Sequence, residues 1–101
     1  MSNLFSDPNG TSGEEQIIPL LTAGKLRIEK IHSHGHPSPP DSWYDQPQAE
    51  WVALLRGTAT LKFEDGTTKH LVPGDNLLIE SHLKHRVEQT SLDALWLAVH
   101  Y

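Results

Sequence analysis

The sequence predicts an all-β barrel or sandwich. Three observations carry that reading. Apolar and polar residues alternate over short segments of strand length. Gly, Pro and Asp-Gly turn signals recur between those segments. No stretch of helix length sustains a 3.6-residue apolar period, and no internal repeat is visible.

The elements follow in order. Residues 1–13 are polar, contain Pro8, Gly10 and Gly13, and have no period, so they read as a flexible N-terminal arm. Residues 14–101 read as one barrel domain. Gln16–Leu21 and Leu26–His36 are candidate strands divided at Ala23-Gly24. Pro37-Ser38-Pro39-Pro40 breaks regular structure and opens a loop to Gln48 that carries Trp43 and Tyr44. Glu50–Arg56 is a strand closed by Gly57. Thr58–Glu64 turns Ala59, Leu61 and Phe63 to one face, and Asp65-Gly66 returns the chain into Thr67–Val72. After Pro73-Gly74, the segments Asn76–Ile79, His85–Gln89 and Leu92–Tyr101 complete eight or nine strands.

Composition narrows the function. The chain has 101 residues, which limits it to one domain with one core. It carries 13 acidic and 8 basic side chains, a formal net charge of −5. That balance argues against nucleic acid, whose phosphates need a basic face. The absence of Cys removes disulfides, thiolate metal centres and cysteine nucleophiles. No apolar run has membrane length, and residues 1–15 show no secretory pattern, so a cytoplasmic protein without membrane contact is expected. Seven histidines remain to be explained.

His32, His34 and His36 stand at i, i+2 and i+4, on one face of a strand. Imidazole is the commonest metal ligand, and two on one strand face aim at one point. The alternative is a histidine-rich solvent edge. Glu50 shares a face with Val52 and Leu54, which turns a carboxylate toward the core. Such a group is expensive unless paired or bound to a metal. His85, between Leu83 and Val87, also falls on an apolar face.

These residues and their spacing resemble a small single-domain cupin over roughly residues 24–100. The family's first motif is G-x5-HxH-x3–4-E-x6-G. His34-Gly35-His36 stands for HxH, and Glu50 to Gly57 fits E-x6-G. The second is G-x5-P-x-G-x2-H-x3-N. Gly74 and His85 keep its register, while Glu80, His82 and Gln89 replace its Pro, Gly and Asn. Residues 37–49 separate His36 from Glu50, where the family leaves three or four. The family's leading Gly falls at Ile28.

The resemblance implies a double-stranded β-helix, or jelly-roll barrel. It also implies a divalent transition metal (Fe, Mn, Ni, Co, Cu or Zn) inside, held by His34, His36, Glu50 and His85. Pairing through His32/His34 is the alternative, and Asp45 or Gln46 could replace Glu50 as oxygen ligand. His70, His82 and His100 read as bystanders. Trp43 and Tyr44 would form a lid or a wall, and Lys30 shares the histidine face. The function expected is a metal-dependent oxidoreductase of dioxygenase type, acting on a small organic molecule. The alternative is a non-catalytic metal or small-ligand sensor. Trp51–Leu55 is apolar on both faces, which suggests a homodimer.

Overall fold

A computed structural model of the chain describes residues 1–6, 15–35 and 37–101. They form eight strands: β1 (Gln16–Ala23), β2 (Leu26–Ser33), β3 (Glu50–Arg56), β4 (Ala59–Phe63), β5 (Thr68–Leu71), β6 (Asn76–Ile79), β7 (His85–Thr90) and β8 (Ala94–His100). No helix occurs among the described residues. All strand pairs are antiparallel. One sheet has the order β1-β2-β8-β3-β6 and the other β5-β4-β7. The all-β expectation is met, and the bounds of β3 and β6 are those read from the sequence.

Local chemistry explains the elements. Pro19 lacks an N–H, and it sits on β1, the sheet's edge, beside a register shift between Pro19 and Leu21. Asp65 Oδ1 accepts from the N–H and the hydroxyl of Thr67, at 2.9 and 2.7 Å, and so closes the β4–β5 hairpin. Gly57 ends β3 at φ +82°, where a Cβ would come within 2.4 Å of Ser91 Oγ and 2.8 Å of Ala94 Cα. Only glycine fits that close approach, which gives the E-x6-G spacing its physical reason.

The two sheets face each other across a core that includes Leu54, Leu61, Phe63, Leu71, Ile79 and Trp96. Leu54 is wholly buried; its removal from water contributes about 1.5–3 kcal/mol. Alternation then decides which polar side chains share this interior. On β2 these are Arg27, Glu29 and Ser33, on β3 Glu50, and on β8 His100.

Two expectations about the N-terminal half need revision or restriction. β2 stops at Ser33, short of His36. The chain bends at Gly35, whose Cα lies so close to Leu92 that a Cβ would meet Leu92 Cδ2 at 2.9 Å. Of the N-terminal arm, residues 1–6 lie against β2. The carbonyls of Asn3, Leu4 and Ser6 accept hydrogen bonds from Lys30 Nζ at 3.3, 3.4 and 3.0 Å. The rest of the arm lies outside the described residues.

Candidate active site in the barrel cavity

Between the sheets lies a cavity of about 170 Å³. Its walls are apolar for the most part, with Ile31, Val52, Leu61, Val87 and Trp96 among them. Into it converge Glu15, Glu29, Glu50, His85 and His100, together with Arg27, Tyr44 and Gln46.

The polar groups form a chain of contacts. His85 Nε2 lies 3.6 Å from Glu50 Oε1, an ion-pair separation rather than a tight hydrogen bond. Glu50 Oε2 lies 3.4 Å from His100 Nε2. His100 Nε2 donates to Glu29 Oε1 at 2.9 Å, and Glu29 Oε2 pairs with Arg27 Nε at 3.2 Å. The run therefore leads from buried His85 to Arg27, whose side chain is 45% exposed. His85 Nδ1 donates to the Leu83 carbonyl at 2.9 Å. That bond fixes the ring and leaves Nε2 as the nitrogen that faces Glu50. His100 is 2% exposed, and its Nδ1 has no partner.

Electrostatics follow from this packing. Burial alone would lower the pKa of His85. The Glu50 contact, the Leu83 carbonyl and the Glu50 charge outweigh it, so the net direction is upward. Burial, then repulsion from Glu50 and Glu29, pushes the Glu15 carboxyl up. Burial also raises the Tyr44 phenol, and the charges of Glu15 and Glu50 add to this against a Ser38 hydrogen bond.

The sequence-derived candidates separate cleanly. Glu50 and His85 meet in the cavity, and Tyr44 and Gln46 line it with them. Tyr44 is held by backbone pairing to His85, N–H to carbonyl at 2.7 Å and the reverse at 3.2 Å. Asp45 instead pairs with His82 Nδ1 at 2.7 Å on the surface. Trp43 lies off the cavity, beneath the Arg86 guanidinium at 5.9 Å. His32 and Lys30 alternate with Glu29 and Ile31 and occupy the opposite face of β2. His34 is not among the residues that line the cavity, and His36 lies outside the described residues. His70 bonds Thr60 Oγ1 on the surface. His82 takes the place of the second motif's glycine and keeps a glycine-like φ of +61°.

His100 and Glu29 are the functional candidates that sequence reasoning passed over. A countable signal existed for two others. Three residues back from Glu50, the family spacing places HxH at Tyr44 and Gln46. A phenol and an amide thus stand where the family has two imidazoles, and both are weaker ligands for a transition metal. Among the described residues no group of three or more His, Asp or Glu side chains is arranged to hold a metal ion. The Nε2 atoms of His85 and His100 each face a carboxylate instead. Of the expected ligands His34, His36, Glu50 and His85, the described residues bring only Glu50 and His85 into this cavity.

The molecule is an antiparallel two-sheet barrel with a polar cluster at its centre. A family model for the cupin domain matches residues 28–100, and the chain belongs to that family. It is similar to a proposed mannose-6-phosphate isomerase from Ralstonia eutropha, at 41% identity and a TM-score of 0.92, over 99% of this chain and 95% of that one. A cupin superfamily protein from Desulfitobacterium hafniense shares the fold at 17% identity and a TM-score of 0.76, over 92% and 82% of the two chains. The Fe(II) form of HppE does so at 18% and 0.74, over 87% of this chain and 50% of that one. A search of curated proteins gave no match.

Proposed function

We propose that this cupin moves a proton on a small organic molecule held in the barrel cavity. Glu50 is the base and His85 the acid. The observation that carries the reading is the Glu50–His85 pair, 3.6 Å apart in a largely apolar cavity. A carboxylate and an imidazole so placed reach adjacent atoms of one substrate. Glu50 takes the proton from a carbon next to a carbonyl while His85 Nε2 gives one to the carbonyl oxygen. Glu50 then returns its proton to the former carbonyl carbon while the hydroxyl on the first carbon gives its proton back to His85 and becomes the new carbonyl, which completes an isomerisation with no net change of atoms or electrons. The Ralstonia relative is described as an isomerase, which supports the reaction class.

The test uses deuterium. Hydroxyacetone, dihydroxyacetone and aminoacetone are incubated with the protein in D2O, and NMR follows loss of the C–H signal. Exchange above the protein-free rate is expected for at least one. Glu50→Gln, checked for folding by its melting temperature, should slow it by about 10²–10⁴-fold. No exchange across the three, or unchanged exchange in Glu50→Gln, overturns the reading.

A metal-dependent oxidoreductase is the second reading. What supports it is membership of the cupin family together with the two motif residues, Glu50 and His85, that meet in the cavity; imidazole and carboxylate donors suit Fe, Mn, Ni, Co, Cu or Zn. Elemental analysis of the purified protein decides it. Stoichiometric metal, lost together with stability in His85→Ala, replaces the first reading. We take the chain to act in the cytoplasm as a homodimer. Exposed Leu78 and Leu92 support self-association, which light scattering on the eluted protein measures.

A further inference from the structure

The face of the larger sheet that turns away from the cavity has an order of its own. Ile31, Glu50, Val52 and His100 point inward, and alternation sends their neighbours outward. Strand register then lines up Leu21 on β1, Ile28 on β2, Val99 on β8, Trp51 on β3 and Leu78 on β6. They form one apolar stripe across all five strands, about 19 Å long. Leu21 and Leu78, at its ends, are 50% and 48% exposed, and the three residues between them are half-buried. The next row is Ile18, Lys30, Leu97, Ala53 and Asn76. Its one charge is Lys30, whose Nζ is held by the carbonyls of Asn3, Leu4 and Ser6. Together the two rows make a flat patch of about 300 Å², the size at which a contiguous apolar patch marks an interaction site.

We propose that this stripe is the centre of a two-fold homodimer, with a second copy of the chain as its occupant. This rests on the homodimer reading, which it deepens by naming the face, and is independent of the proton-transfer reading. Two observations choose a second copy. First, the stripe reads alike from both ends: Val99 lies in the middle, Trp51 and Ile28 flank it, and a half-exposed Leu closes each end. A half-turn about Val99 lays Leu21 against the partner subunit's Leu78, and Ile28 against the partner subunit's Trp51, as an isologous contact requires. Second, each chain carries a net charge of −5, so two copies repel unless they meet through a face with little charge. These rows hold one cation, already enclosed by three carbonyls. An acidic or a basic partner would find little here to pair with. A polar rim around such a centre brings the contact to the roughly 800 Å² per partner of a standard interface.

Analytical ultracentrifugation from about 1 μM to about 1 mM gives the mass and the dissociation constant. The parent protein is expected at twice the monomer's 11.3 kDa. Leu78→Lys and Leu21→Glu change half-exposed positions, and melting temperature checks that each variant folds. Each should weaken association by at least about 100-fold. The double variant sets every new Lys against a new Glu of the other copy, and should recover at least about tenfold of the loss. Leu83→Lys, at a residue 41% exposed in the turn before β7, should change nothing. The parent alone supplies a further measurement that needs no variant. On dilution through the dissociation constant the Trp51 indole N–H signal should shift, while those of Trp43 and Trp96 stay in place. A dimer that survives both single variants overturns this face and leaves the homodimer reading standing. So does a double variant no tighter than either single one, or a dissociation that leaves Trp51 unmoved. A parent that stays monomeric throughout, its stripe left to some other occupant, overturns this proposal and the homodimer reading together.

Discussion

Gly57→Ala tests how tightly the end of β3 is bound to the rest of the barrel. The residue sits at φ +82°, which costs an L-amino acid about 1–2 kcal/mol. The new Cβ would lie 2.4 Å from Ser91 Oγ and 2.8 Å from Ala94 Cα. Ala94 opens β8 and is 1% exposed, so its backbone has little freedom to retreat. Ser91 is no freer. Its hydroxyl accepts from Thr58 N–H at 2.9 Å and donates to Asp93 Oδ1 at 2.8 Å. Overpacking of this kind costs about 1–3 kcal/mol, and a lost Thr58 bond about 1 kcal/mol more. The expected loss is about 3–6 kcal/mol, a large share of the roughly 5–15 kcal/mol that holds a domain folded. Urea unfolding followed by tryptophan fluorescence measures it. Gly66→Ala serves as the control, because Gly66 has φ +90° and nothing within 4 Å of its would-be Cβ. That variant should lose only about 1–2 kcal/mol. A Gly57→Ala loss below about 1 kcal/mol, or equal to that of Gly66→Ala, refutes the steric argument.

Other outcomes follow from the same geometry. Proton NMR should place the His85 titration above the ordinary value of 6.5, and Glu50→Gln should bring it down because the largest upward cause is the Glu50 contact, with the Glu50 charge adding to it after the Leu83 carbonyl. Since the folded-state pKa of His85 is raised, its stabilising contribution is full below 6.5 and is lost as pH rises through the folded value. Glu15, raised above 4.5, acts in the same direction at lower pH. Melting temperature should therefore fall as pH rises from 6.5 through the raised His85 value, and the slope should shrink in Glu50→Gln. Lys30→Ala removes the donor that holds the carbonyls of Asn3, Leu4 and Ser6. Residues 1–6 should then exchange amide hydrogens faster while β3 and β8 keep their protection; equal protection in the arm would discount the latch. Leu54→Ala, at a wholly buried position, should cost about 2–5 kcal/mol in urea unfolding.

The strands were legible because alternation and turn residues agree at nearly every boundary. The inward carboxylate of Glu50 was legible for the same reason, since Val52 and Leu54 mark its face. β2 shows where this logic stops. Ile28 and Ile31 put an apolar residue on each face, so its own pattern does not say which row points inward. His32 took the outer row, and Glu29 took the inner one. The partner that decides the matter is His100, 71 residues away in sequence and brought alongside only by the β2–β8 pairing. Tyr44 and Gln46 were hidden differently. They were within reach of spacing from Glu50, but a phenol and an amide do not advertise a site as three histidines in a row do.

The strand order also bears on how the chain reaches this state. β8, last of the eight in sequence, lies between β2 and β3 in the larger sheet. Until it arrives, the facing edges of β2 and β3 have open hydrogen-bonding groups and no partner. The β4–β5 hairpin can close early through local contacts, whereas this sheet must wait for its middle strand. Newly made chains therefore pass through a state with two exposed strand edges, and self-association competes with folding there.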